Sequence, residues 1–136
     1  MYKNILVPLD VGHIPEGKTG IDVAVGLAES DGRIFLLNVV EEIPSWAAVE
    51  LPRGIIEKSV DKAQENLQAI ANASSLKMDV EVRAGHAYQT ILDVADEKSV
   101  DLIVITSHRP GLQDYFLGST AAKVVRHAKC SVHVIR

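Results

Sequence analysis

The chain's 136 residues suit one domain around one hydrophobic core, and a composition 47% hydrophobic and 24% charged is that of a globular protein. A formal net charge of −4 argues against a nucleic-acid binder, no apolar run approaches the ~20 residues of a membrane span, and the start shows no secretory cleavage pattern. Cys130 is alone, which excludes an internal disulfide and a cysteine-based zinc site, so the expectation is a cytoplasmic protein with neither a membrane nor a nucleic-acid partner.

Short apolar runs alternate with helical patterns along the chain. Asn4–Leu9 reads as a buried strand. Residues 18–30 place Ile21, Ala24, Val25 and Ala28 on one helical face, with Asp31-Gly32 as the stop. Ile34–Val40 is a second continuous apolar strand, and residues 41–53, with Pro44 and Pro52, read as a loop. Residues 54–73 carry Ile56, Val60, Ala63, Leu67 and Ile70 at alternating spacings of four and three, the stripe of an amphipathic helix. Met78–Arg83 alternates like a strand with one wet side. Gly85 follows, then a helix through Tyr88, Ile91, Leu92 and Ala95. Leu102–Thr106 is a fully apolar strand, residues 119–128 form a helix with Ala121, Val124, Val125 and Ala128 inward, and Ser131–Ile135 is the last strand.

Strands apolar on both faces and joined by helices imply an α/β fold, a Rossmann-like three-layer sandwich around a five-stranded parallel sheet. Right-handed crossovers and central placement of the most apolar strands predict the order 3-2-1-4-5. In such sheets ligands lie beyond the carboxyl ends of the strands, where the winding reverses, here between the first and fourth strands. Those two ends carry Asp10 and the loop from Thr106 to Gly118.

Gly118-Ser119-Thr120 opens the last helix. Free backbone N–H groups and the positive end of the helix dipole suit a phosphate there, although Ser119 also reads as an ordinary N-cap. Asp10 suits a ribose or a plain turn. In the loop, Ser107, His108 and Arg109 are polar, and Arg109 has the charge to pair with a phosphate. A Ser-His nucleophile is disfavoured, because sequence neighbours seldom face each other and no acid stands ready to orient the imidazole. His13, His86, His127 and His133 lack metal-ligand spacing and read as structural or surface residues. Trp46 reads as a loop anchor. Glu41 and Glu42 could hold Mg²⁺ only through nucleotide phosphates and are not assigned as ligands. No catalytic residue and no metal site is assigned.

These residues resemble those of the universal stress protein family. The run from Tyr2 to Asp10 (Tyr-Lys-Asn-Ile-Leu-Val-Pro-Leu-Asp) looks like the family's opening, and Leu117-Gly118-Ser119-Thr120-Ala121 with the run Val125–Arg136 looks like its ending. The resemblance covers the whole chain as a single nucleotide-binding domain, residues 1–136. It implies a homodimer paired through the C-terminal strand, residues 131–135, and leaves open pairing of dimers into a tetramer. It implies binding of ATP or AMP, with or without Mg²⁺. Asp10 would contact the ribose, Val39 would offer its backbone to the adenine, Pro8 and Leu9 would line the pocket, and Gly118, Ser119 and Thr120 would hold phosphates, with Thr106, Ser107, His108 and Arg109 completing the site. The chain departs from the family's phosphate pattern (Gly, two residues, Gly, nine residues, Gly, then Ser or Thr): the first two glycines would fall at Ile105 and His108, or at Thr106 and Arg109 in a loop one residue shorter. Val11-Gly12 also replaces the small or aromatic residue and serine common after the aspartate.

The expected function is therefore adenine-nucleotide binding in a regulatory or stress-response role with an unidentified protein partner. The alternatives are a nucleotide-free dimeric interaction module of the same fold and a slow ATPase. ATP pyrophosphatase, receiver and flavodoxin readings fail, because the turn after the first strand has no Ser-Gly-Gly-rich or Ser/Thr-rich loop and no aspartate follows the third strand at Arg83-Ala84-Gly85.

Overall fold

The computed structural model describes residues 1–9, 14–40, 55–107 and 118–136. Five strands, β1 (Tyr2–Pro8), β2 (Ala28–Val40), β3 (Lys77–Ala84), β4 (Leu102–Thr106) and β5 (Ser131–Ile135), alternate with four helices among these residues. The helices are α1 (Ile14–Leu27), α2 (Ile55–Asn72), α3 (Ala87–Glu97) and α4 (Ser119–His127). All pairings are parallel and the order is β3-β2-β1-β4-β5, as the apolar patterning predicts.

Two hydrophobic layers lie on opposite faces because successive strand side chains alternate sides. Ile5, Val7, Ile34, Leu36, Leu102 and Val104 face α1 and α2, where Ile21, Ala24, Leu67 and Ala71 meet them. Leu6, Phe35, Leu37, Ile103 and Ile105 face α3 and α4, where Ile91, Val94, Ala95, Ala121 and Val124 meet them. That double coverage is why these strands read as unbroken apolar runs. β3, at the sheet's edge, has mostly half-buried residues, in keeping with its alternating sequence. Arg83 on this strand bonds Glu81 within the strand and holds the Glu97 carboxylate of α3 through two nitrogens.

Three expectations need correction. The first helix ends at Leu27 instead of residue 30, because Ala28 already pairs with Tyr2 on β1. From there to the next pair, Asn4 with Arg33, β2 advances five positions while β1 advances two. The surplus takes up the Glu29–Gly32 stretch, where a Cβ on Gly32 would lie 3.0 Å from the Glu29 carbonyl oxygen. Val25 is exposed instead of inward, since α1 turns Ile21 and Ala24 to the sheet. Val125 is 45% exposed, since Ala121 and Val124 fill the short contact of α4 and leave the next residue to point away. The predicted face of α2 is represented by buried Leu67 and partly buried Ile70; the side chains of Ile56, Val60 and Ala63 lie outside the described residues.

Candidate functional site

The ladder between β1 and β4 is short. β1 and β4 pair at Ile5–Leu102 and Leu6–Ile103, and among the described residues no pair joins them beyond that point, although β1 runs to Pro8 and β4 to Thr106. Pro8 supplies a physical reason. Successive N–H groups in a strand point to opposite sides, and the Leu9 N–H donates to the Leu37 carbonyl on the β2 side at 2.7 Å. The Pro8 nitrogen therefore faces β4 and has no hydrogen to give. At the opposite end the strands are fastened: the Asp101 carboxylate accepts from the Lys3 and Asn4 N–H groups at 2.9 and 3.0 Å. The β1–β4 ladder is thus fastened at its amino end and stops short of the switch point of the winding.

Hydrogen bonds hold this edge of the sheet. Asn38 on β2 is 8% exposed and donates its side-chain amide to the Leu9 carbonyl at 2.8 Å. The Leu9 peptide is thus tied to β2 on both sides before the chain leaves the sheet. The Val40 carbonyl at the end of β2 accepts from the Gly85 N–H at 3.0 Å, which ties the exit of β3 to the same edge. Asn38 is a rim residue that the motif reading passes over, and its signal is a single polar residue inside the apolar run Ile34–Val40.

The β4 side of this edge meets the last helix. The Ser107 N–H donates to the Ile135 carbonyl at 2.7 Å, carrying the β4–β5 ladder one rung past the strand. The Ser107 hydroxyl accepts from the Gly118 N–H at 2.7 Å. Gly118 is the N-cap of α4, and its carbonyl accepts the helical bond from Ala122 at 2.8 Å. The first turn of a helix carries N–H groups without intrahelical acceptors and the positive end of the dipole, so an anion at this corner is favoured. Gly118 has φ −58° and ψ 151°, a conformation open to any residue, and a Cβ there would sit 3.4 Å from the Ser107 hydroxyl. No special turn therefore demands glycine at this position. Beneath the rim, α1 crosses closely at Gly20, where a Cβ would come 3.7 Å from the Thr106 hydroxyl and 3.5 Å from Val7.

The fold therefore gathers Pro8 and Leu9 (end of β1), Val39 (end of β2), Thr106 and Ser107 (end of β4) and Gly118, Ser119 and Thr120 (start of α4) at the carboxyl edge of the sheet. Of these, Leu9 is buried, Ser119 is exposed and the rest are half-buried. Asp10, His108 and Arg109 lie outside the described residues. No group of three or more His, Cys, Asp or Glu suited to a metal ion occurs among the described residues.

The family model described as "Universal stress protein family" matches residues 1–136. The chain belongs to the universal stress protein family. Universal stress protein G of Escherichia coli O157:H7 is 32% identical over 145 residues, with both chains covered completely. Among solved structures of the family, universal stress protein UspA from Lactobacillus plantarum is 30% identical, with a TM-score of 0.73 over 99% of this chain and 98% of that one. A universal stress protein family protein from Arabidopsis thaliana, solved with AMP bound, shares the fold at 18% identity, with a TM-score of 0.70 over 98% of this chain and 90% of that one.

Proposed function

We propose that this universal stress protein is a single adenine-nucleotide-binding domain whose site lies at the carboxyl ends of β1 and β4. The observation that carries the reading is the meeting of the carboxyl ends of β1 and β4 with the α4 N-terminus, tied at that corner through Ser107 and Gly118. The Arabidopsis relative with AMP bound supports it at the level of the shared fold. In this reading adenine lies by the Val39 backbone against Pro8 and Leu9, and Asp10 takes the ribose hydroxyls. The phosphates of ATP or AMP, with or without Mg²⁺, lie against Gly118, Ser119 and Thr120, with Thr106, Ser107, His108 and Arg109 around them.

The role is regulatory: a cytoplasmic homodimer, paired through β5, whose ligand alters a protein-partner surface, with at most slow ATP hydrolysis. β5 suits the pairing role because it is an edge strand with half-buried Val132, Val134 and Ile135, and an open edge is a template for a further strand. A second reading, a nucleotide-free interaction module, draws on the missing first two glycines of the phosphate pattern. Mass spectrometry of the small molecule released on denaturing the purified protein, with calorimetry against ATP and AMP, decides between them. Released or titratable adenine nucleotide supports the first reading, and absence of binding at millimolar ligand overturns it.

No helix among the described residues is long and apolar enough to cross a membrane.

A further inference from the structure

We infer that Ser107 is a positioning residue that holds the phosphate end of the proposed site in register with β5. This rests on the nucleotide reading above and deepens it. Ser107 lies one residue past β4 and makes two hydrogen bonds to two different elements: its N–H goes to Ile135 at the end of β5, and its hydroxyl receives the Gly118 N–H at the start of α4, both at 2.7 Å. The side-chain bond spans eleven positions of sequence and clasps the two ends of the intervening segment at its base.

The bond also decides which amide is spent. The Gly118 N–H, the donor next to the helix start, is committed to Ser107. Ser107 thus acts on the ligand through α4, by fixing where the first turn stands relative to the carboxyl ends of β1 and β4. Alanine keeps the strand rung to Ile135, which is a backbone bond, and deletes only the clasp. Threonine keeps the hydroxyl.

The test uses the full chain as wild type, Ser107→Ala and Ser107→Thr, with ATP, AMP and adenosine as probes in calorimetry and amide hydrogen exchange on the nucleotide-free proteins. Losing one hydrogen bond that orients the anion site should weaken ATP and AMP binding about three- to tenfold. Adenosine, which lacks the phosphate, should bind S107A as it binds wild type. Exchange at Gly118 should quicken in S107A while exchange in β1 and β4 stays unchanged, and S107T should restore both behaviours. A purely structural role would lower adenosine and ATP affinity together. That result overturns the inference, as does S107A that binds ATP like wild type with unaltered exchange at Gly118. If wild type itself binds none of the three probes, the nucleotide reading fails and the positioning role falls with it. If wild type binds and S107A is indistinguishable from it, only the positioning role falls.

Discussion

Replacing Asn38 with alanine isolates the bond that fastens the end of β1. Asn38 is the buried polar residue of the described core, and its amide donates to the Leu9 carbonyl at 2.8 Å, 29 positions away in sequence. The substitution removes the donor and leaves that carbonyl, on a residue 9% exposed, without its side-chain partner. A buried acceptor left unsatisfied costs about 1–3 kcal/mol, more than the net worth of an average hydrogen bond, because the carbonyl has already been stripped of water. For a domain of this size, that lowers Tm by roughly 4 °C per kcal/mol, so the expected drop is about 4–12 °C. Urea unfolding should show a lower midpoint with an unchanged slope, the sign of a native-state loss without a change in exposed area. Gln68→Ala is the matched control: it deletes an exposed side-chain amide bond to Asn72, 3.0 Å long, and should stay within about 0.5 kcal/mol of wild type. A cost below about 0.5 kcal/mol for Asn38→Ala, or a cost equal to that of Gln68→Ala, would refute the reasoning that burial sets the value of this bond.

Four further outcomes follow from the same geometry. Gly118→Ala should cost about 0.5–1 kcal/mol in urea unfolding, because alanine is a poorer N-cap than glycine even though φ is ordinary and the new Cβ meets Ser107 at 3.4 Å; a cost above about 2 kcal/mol would show that the position demands glycine for its conformation. Gly85→Ala should cost about 1–3 kcal/mol in urea unfolding, since φ is +149° and the new Cβ would lie 2.9 Å from the Thr90 hydroxyl. Cys130 should react slowly with a disulfide reagent near pH 8 and speed up on unfolding, because burial first, then the Asp101 and Asp96 charges, push its thiol pKa up and keep it protonated; a rate equal to that of the unfolded chain would contradict this. The Arg83 guanidinium, hydrogen-bonded to Glu97, holds that carboxyl below its ordinary range, so its contribution is present above the unfolded-state pKa and is lost as pH falls through the lower folded value. The stability gap between wild type and Glu97→Gln should therefore shrink on acidification and stay small throughout, as both side chains are solvent-accessible; a gap that widens toward acid would reverse the assignment.

The strand order and both core layers were legible in the sequence. Ile5 to Val7, Ile34 to Leu37 and Leu102 to Ile105 are apolar at every position, and only a strand covered on both faces can bury such a run, so these three had to be central. The same logic put β3, with its alternation, at an edge. The matching ends of the chain identified the family, and the candidate site followed from where two polar segments leave central strands.

Tertiary structure decided the rest, wherever a residue's role depends on what lies beside it. Val25 and Val125 read as inward from spacing, yet both are exposed, because the width of contact between helix and sheet sets how many apolar positions are covered. The end of α1 depended on Ala28 finding Tyr2, a pairing that local helix signals do not encode. Asn38 and Ser107 look like an odd polar residue and a loop hydroxyl. They become rim and clasp only once β2 lies against β1 and α4 starts beside β4, because a hydrogen bond of fixed length is specified by the register of neighbouring elements and not by the residues that make it.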